Sequence, residues 1–208
     1  MKYTDEIVVD TMRLGGFQPF SLSDFPGRAA AIVFTQGCNF RCPFCHNPSL
    51  WPAVPANPPD ATAEAVLAFL AERRRLLAGL VITGGEPTLQ AGLPGFLEAV
   101  KRLGLGVKLD TNGSRPEVIA KLLAHGLVDY VAMDLKAPME KYDLLCGCAV
   151  NKGAIRRSRD LIAASRVAHH FRTTFYRALL SDTDIAAIQA SLPVRSVFKL
   201  QACRANLS

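Results

Sequence analysis

Short apolar runs alternate with helix-forming stretches along most of this chain, and that alternation restricts its fold more than any other feature. The runs are "RAAAIVF" (Arg28–Phe34), "GLVIT" (Gly79–Thr83), "VKLD" (Val107–Asp110), "DYVAMDLK" (Asp129–Lys136), "HHFRTTFYR" (His169–Arg177) and "RSVFKLQ" (Arg195–Gln201). Each reads as a strand. "PAVPANPP" (Pro52–Pro59) forbids helix or central strand and reads as a connecting loop. After it, Asp60 or Thr62 caps a helix that carries Val66, Phe69, Leu70 and Leu77 on one side. Further helices are expected through Phe96–Leu103, from Pro116 onward, through Ile155–Ala164, and around Asp184–Ala190. Strand and helix thus alternate about six times at roughly thirty-residue spacing, the pattern of parallel βαβ units. Six units fall short of the eight that close a full barrel, which leaves an open sheet or a partial barrel.

The length of 208 residues, half of them hydrophobic, suits a single domain with a sizeable core. Residues 1–27 read as an N-terminal extension and turn, and residues 28–201 as the repeating core. Much of the net charge of +6 is local, in "ERRRLL" (Glu72–Leu77) and "AIRRSRDL" (Ala154–Leu161). Both stretches read as solvated helix faces or as a docking surface for an acidic protein. Neither interleaves aromatics with its charges, which argues against nucleic-acid binding. The N-terminus "MKYTDEIVVD" is acidic where a secretory leader is basic, and no apolar run is long enough to span a membrane. A cytoplasmic location follows as the expectation. In that reducing compartment the six cysteines point to metal or redox chemistry before disulfides.

Polar motifs follow four consecutive strands. "TQGCNFRCPFCHNP" (Thr35–Pro48) follows the first, "GGEP" (Gly84–Pro87) the second and "TNG" (Thr111–Gly113) the third, while "DLKAP" (Asp134–Pro138) closes the fourth. In parallel α/β folds the carboxyl ends of the strands are where sites assemble. Three residues separate Cys38 from Cys42 and two separate Cys42 from Cys45. A Cys3His zinc site using His46 is the structural alternative. Adjacent Cys45 and His46 would ligate one ion awkwardly, and no second Cys-x2-Cys lies elsewhere. In "MDLKAP", Asp134 and Lys136 alternate with apolar neighbours, which suits a pair aimed into a polar site.

The Cys-x3-Cys-x2-Cys spacing, with aromatic Phe44 just before the third cysteine, resembles the signature of the radical S-adenosylmethionine (radical SAM) superfamily. The resemblance implies a partial (β/α)6 TIM-like barrel of parallel strands. It also implies a [4Fe–4S] cluster on Cys38, Cys42 and Cys45 whose open iron binds SAM. It places Gly84, Gly85, Glu86 and Pro87 at the SAM ammonium and Lys136 at its carboxylate, with Arg172 as a further candidate. Asp110, Thr111 and Asp134 would correspond to positions near SAM or a bound monovalent cation.

"SLSDFPGRAAAIVFTQGCNFRCPFCHNP" (Ser21–Pro48), with "DLKAP", resembles the glycyl-radical-enzyme activases. "DFPG", preceded by "GGFQPFS" (Gly15–Ser21), is more similar to activating proteins of anaerobic ribonucleoside-triphosphate reductase than to pyruvate formate-lyase activases. The implied partners are that reductase, as glycyl radical enzyme, and a low-potential electron donor such as flavodoxin or ferredoxin. Two rivals stand beside this reading: a radical SAM enzyme acting on a small molecule such as a deazapurine precursor, and a non-catalytic zinc module. Cys146, Cys148 and Cys203 are expected to be free thiols, His169 and His170 structural, and Trp51 a packing residue.

Overall fold

Seven strands form one sheet whose spatial order is the order of the chain. The computed structural model describes residues 12–55 and 62–203. β1 (Leu14–Phe25) pairs antiparallel with β2 (Arg28–Thr35). Then β3 (Gly79–Gly84), β4 (Gly106–Thr111), β5 (Tyr130–Asp134), β6 (Ala168–Phe175) and β7 (Phe198–Ala202) follow, each parallel to the strand before it. The helices are α1 (Ala63–Arg73), α2 (Leu93–Arg102), α3 (Pro116–Ala124), the short α4 (Tyr142–Cys146), α5 (Lys152–Ala164) and α6 (Asp182–Ala190). Six parallel strands in sequence order match the expected six βα units. Because every crossover advances one place in the same direction, right-handed connections put all helices on one face. That is the strand order of a barrel, left open here between β1 and β7.

The helix face carries the main core. α2 buries Leu93, Phe96, Leu97 and Val100, the spacing of one helical stripe. α3 contributes Ile119 and Leu122, and α5 contributes Ile155, Ser158 and Ile162. Thr62 caps α1 by accepting from the Ala65 N–H at 3.2 Å, while Asp60 lies outside the described residues. Outward residues of the strands, such as Val107, Leu109, Val131 and Phe171, complete this core. The opposite, concave face holds a small apolar patch of Phe25, Ala30, Ile32 and Val81, against which Phe34 and Tyr130 pack. Beyond that patch the concave face turns polar.

Two local expectations change. Residues 14–25, read as part of an extension and turn, form a twelve-residue edge strand. Gly15, Gly16 and Pro19 hid it, because glycine weakens a strand and proline cannot donate to a ladder. An edge tolerates both, and Pro19 falls where the pairing register shifts between Gln18 and Ser21. Leu77 is not on α1, which ends at Arg73; it is buried in the link to β3.

Candidate functional site

A cleft of about 280 Å3 opens on the concave side, at the carboxyl ends of β2 to β6. Cys38, Cys42 and Cys45 all line it, together with Phe44 and His46. The cysteine loop is held by its backbone. Gly37 and Cys38 N–H donate to the Leu50 and Trp51 carbonyls at 2.9 and 3.1 Å. Cys45 N–H donates to the Cys42 carbonyl at 3.0 Å, and Arg41 N–H reaches the Cys146 carbonyl at 2.7 Å. Phe44 is buried and packs on Tyr176, with ring centroids 5.6 Å apart. Trp51 lines the cleft and packs under the Arg41 guanidinium. Among the described residues no three His, Cys, Asp or Glu side chains converge where a single ion could sit. The three thiols share one cleft without closing on a single ion position.

Two of these thiols are tuned in opposite directions. Burial pushes Cys38 up to about 11, against the donation of Phe40 N–H to its sulfur. The Cys146 thiol, donating to Cys42, brings Cys42 down to about 7, with Lys136 acting in the same direction.

The GGEP turn is welded to the neighbouring loops. Gly84 has φ +107°, which side chains avoid, and a Cβ there would stand 2.4 Å from Thr35 N. A Cβ on Gly85 would stand 2.1 Å from the Gly37 carbonyl oxygen. The two glycines line the cleft, yet their lack of side chains serves the contact with β2 and the cysteine loop. Glu86 is 1% exposed. Its Oε1 accepts from Thr88 N–H at 3.1 Å, from the Thr88 hydroxyl, and from Thr111 Oγ1 at 2.7 Å. Its Oε2 accepts from Asn112 N–H at 2.7 Å. Burial pushes this carboxyl up, and the hydrogen bonds from Asn112, Thr88 and Thr111 oppose it. Glu86 thus ties the end of β3 to the end of β4. Pro87 is buried at the start of a one-turn helix and does not line the cleft.

A ladder of alternating charge crosses the concave face. Lys108 and Arg172 (3.0 Å) both bind Asp110; Arg172 also bonds Asp134 through Nε, and Lys136 bonds Asp134 at 2.8 Å. Burial works against the Asp134 charge, but Arg172 and Lys136 hold its carboxyl well below the usual range. Asp134 in turn holds the Lys136 ammonium charged against burial. Every carboxylate oxygen of Asp110 and Asp134 already faces a cationic side chain. Of the three positions implied near SAM or a monovalent cation, Asp110 and Asp134 are paired with these cationic side chains and Thr111 donates its hydroxyl to Glu86. Three cations against two carboxylates leave this wall attractive to an anionic group.

Deeper in the concave face, His170 Nδ1 and the Tyr130 hydroxyl are hydrogen bonded at 2.9 Å. Burial, helped by Lys199, Arg172 and Lys108 and opposed by Asp110, brings His170 down to about 4. The unfolded chain takes up the proton near the ordinary value of 6.5, before the folded protein does. The stability tied to neutral His170 is thus complete above about pH 6.5 and is lost as pH falls toward 4. We expect thermal melts between those limits to show a steeper decline in the wild type than in His170→Gln. Parallel declines would remove His170 from the acid response.

Sequence reasoning missed several cleft residues. Asp24, Thr83, Asn112 and Thr174 line it. The Asn112 side chain donates to Asn39 Oδ1 at 2.9 Å. Asp24 lies on the strand that the sequence disguised, where Ser21 and Ser23 donate to its carboxylate. Cys146 and Cys148 are free thiols, as expected, and they back the cysteine loop. No helix among the described residues is long and apolar enough to cross a membrane.

Comparisons with known proteins fit this arrangement. The profile of the radical SAM superfamily matches residues 32–174. A Methanocaldococcus jannaschii protein, assigned provisionally as a glycyl-radical enzyme activating enzyme, is 31% identical over 207 residues, or 90% of this chain and 78% of its own length. The pyruvate formate-lyase-activating enzyme of Clostridium pasteurianum is 33% identical over 60% of this chain and about half (52%) of its own length. The crystal structure of QueE from Escherichia coli superposes with a TM-score of 0.58 at 19% identity, covering 93% of this chain and 84% of that one.

Proposed function

This chain belongs to the radical SAM superfamily, and we propose that it is an activase that installs a glycyl radical on anaerobic ribonucleoside-triphosphate reductase. The residues present fit the superfamily's two cofactors, a [4Fe–4S] cluster and SAM. Three cleft-lining thiols supply three ligands, and among the described residues no fourth thiol lines the cleft, which leaves one iron for SAM. Bound there, the cluster supplies the electron for reductive cleavage of SAM.

The chain's own residues do the placing. Lys136 and Arg172 supply the excess positive charge that meets the SAM carboxylate. Gly84, Gly85 and Glu86 form the wall beside its ammonium, with Glu86 setting their position through Thr111 and Asn112. Phe44, braced by Tyr176, keeps water from the apolar side of the cleft.

The observation that carries the reading is that all four strand-end motifs converge on one cleft, which extends laterally to Thr174 of β6 and Gln201 of β7 at the open sheet edge. An opening at a sheet edge admits an extended protein segment, the form in which a buried glycine would be presented. The activase likeness to the Methanocaldococcus jannaschii protein supports the same target class.

The test mixes anaerobically reconstituted protein, SAM and a strong reductant with a candidate reductase, followed by electron paramagnetic resonance. A glycyl radical on the reductase is the expected signal. No radical with any reductase, alongside steady turnover of a deazapurine precursor, would replace the activase by the small-molecule enzyme. A colourless, zinc-containing protein would replace both by a structural module.

A further inference from the structure

The outer side of the cysteine loop forms a surface that the cleft chemistry leaves unused. Gly147, at φ +63°, lies so close beneath the loop that a Cβ would stand 2.3 Å from the Arg41 carbonyl oxygen. Cys148 Sγ donates to the Asn39 carbonyl at 3.5 Å. On the other flank, Asn39 Nδ2 donates to Ser114 Oγ at 3.0 Å. α5 packs under that flank, where Ser158 Oγ donates to the Gly113 carbonyl at 2.6 Å. The exposed loop residues between Cys38 and Cys42 therefore lie in one face with Arg115, Gly147 and the first turns of α5.

That face is basic. It carries Arg41, Arg115, Lys152, Arg156 and Arg157 against Glu117 and Asp143. Both carboxylates are already occupied, Glu117 by Arg115 at 2.7 Å and Asp143 by Lys152 at 2.9 Å. Arg156 and Arg157 are exposed and have no ion-pair partner among the described residues. The other basic run, Arg73–Arg75, closes α1 and leads toward the start of β3, at the opposite ends of the strands from the thiols. Of the two runs, only the one on α5 borders the ligand loop.

We propose that this face is the docking surface of an acidic one-electron carrier protein. The inference rests on the radical SAM reading and adds where its electron enters. Transfer weakens steeply with distance, and a carrier seated on Asn39 and Arg41 is separated from the thiol ligands by the loop alone. The carrier is oxidised by one electron, and the acceptor held by the three thiolates is reduced by one. Charge complementarity steers the encounter. Docking outside the loop also leaves the cleft free for SAM and the target, so all three can be engaged together.

The test uses reconstituted holoprotein and the double variant Arg156→Glu/Arg157→Glu, with an acidic flavodoxin as probe. SAM cleavage is driven either by flavodoxin hydroquinone or by dithionite, and calorimetry measures binding of oxidised flavodoxin. The variant is expected to lose about tenfold or more in flavodoxin affinity and in flavodoxin-driven rate at subsaturating carrier, while its dithionite-driven rate stays within twofold. Added salt should weaken the wild-type complex and leave the variant's residual binding nearly flat. Flavodoxin binding and flavodoxin-driven rate both unchanged in the variant overturn the docking surface alone. Equal loss of both rates does the same, because it marks a structural defect. A wild type that cleaves no SAM even with dithionite overturns the enzyme reading, and this proposal with it.

Discussion

Replacing any one of Cys38, Cys42 or Cys45 with alanine should take bound iron from about four per chain to below one and abolish SAM cleavage. The three thiols line one cleft, and in the proposed site each holds a different metal corner, so two of them would not retain a cube. None of the other three thiols lines the cleft, although Cys146 reaches Cys42 from behind. Cys146 is fully buried behind Cys42, and Cys148 bonds the outer side of the loop through Asn39. Cys146→Ala and Cys148→Ala should keep iron and cleavage largely intact. The loss is one of ligation rather than folding. Cys38 and Cys45 are half-buried, and removing one small buried thiol at Cys42 costs on the order of 1 kcal/mol. Metal-free melting temperatures of the three variants should lie within a few degrees of the wild type. Iron analysis and SAM cleavage check the first part, and melts of the apo-protein check the second. A cysteine variant that keeps its iron would remove that residue from the ligand set. Loss of iron in Cys146→Ala or Cys148→Ala would add one.

The alternation that announced the fold worked because the parallel strands β2 to β5 are buried on the helix side, whereas the edge strand β7 is mostly exposed. β4 reads "GVKLDT" and is buried at all six positions. Its charged pair, Lys108 and Asp110, alternates with Val107 and Leu109, so the sequence already separated the concave face from the helix face. The same alternation in "MDLK" revealed Asp134 and Lys136, and both line the cleft. What stayed hidden depends on contacts between distant segments. That Asp110 and Asp134 share Arg172 requires β4, β5 and β6 to be adjacent, which no local pattern states. That Gly147 abuts the cysteine loop requires the segment after β5 to fold back, and its φ of +63° is invisible in the letters "CGC". β1 was masked by residues that oppose strand formation locally and are tolerated only because it is an edge.

Glu86 gives the sharpest case of a residue whose role changed on moving from sequence to structure, and the second large effect attaches to it. The motif suggested a negative charge presented to a ligand cation. In the fold, four donors from Thr88, Thr111 and Asn112 occupy the carboxylate. Glu86→Ala would leave all of these buried donors without their partner. Each orphaned buried donor costs about 1–3 kcal/mol, and partial relaxation of the two hydroxyls brings the expected total to about 3–5 kcal/mol. Glu86→Gln keeps one acceptor but turns an amide NH2 toward either the Asn112 N–H or the threonine hydroxyls. It should lose less, about 1–3 kcal/mol. Denaturant unfolding of the metal-free protein measures both, and a lower midpoint at unchanged slope identifies a loss of folded-state stability. Because Glu86 couples the turn after β3 to the loop after β4, the alanine variant should also bind SAM weakly once iron is restored. The decisive comparison is between the two measurements. If Glu86→Ala costs under about 1 kcal/mol in the apo-protein yet still abolishes SAM binding, the carboxylate acts on the ligand directly and the clamp described here is wrong. If stability and binding fall together, and glutamine recovers part of each, then the residue that looked like a ligand contact works by holding two loops at the spacing the ligand requires.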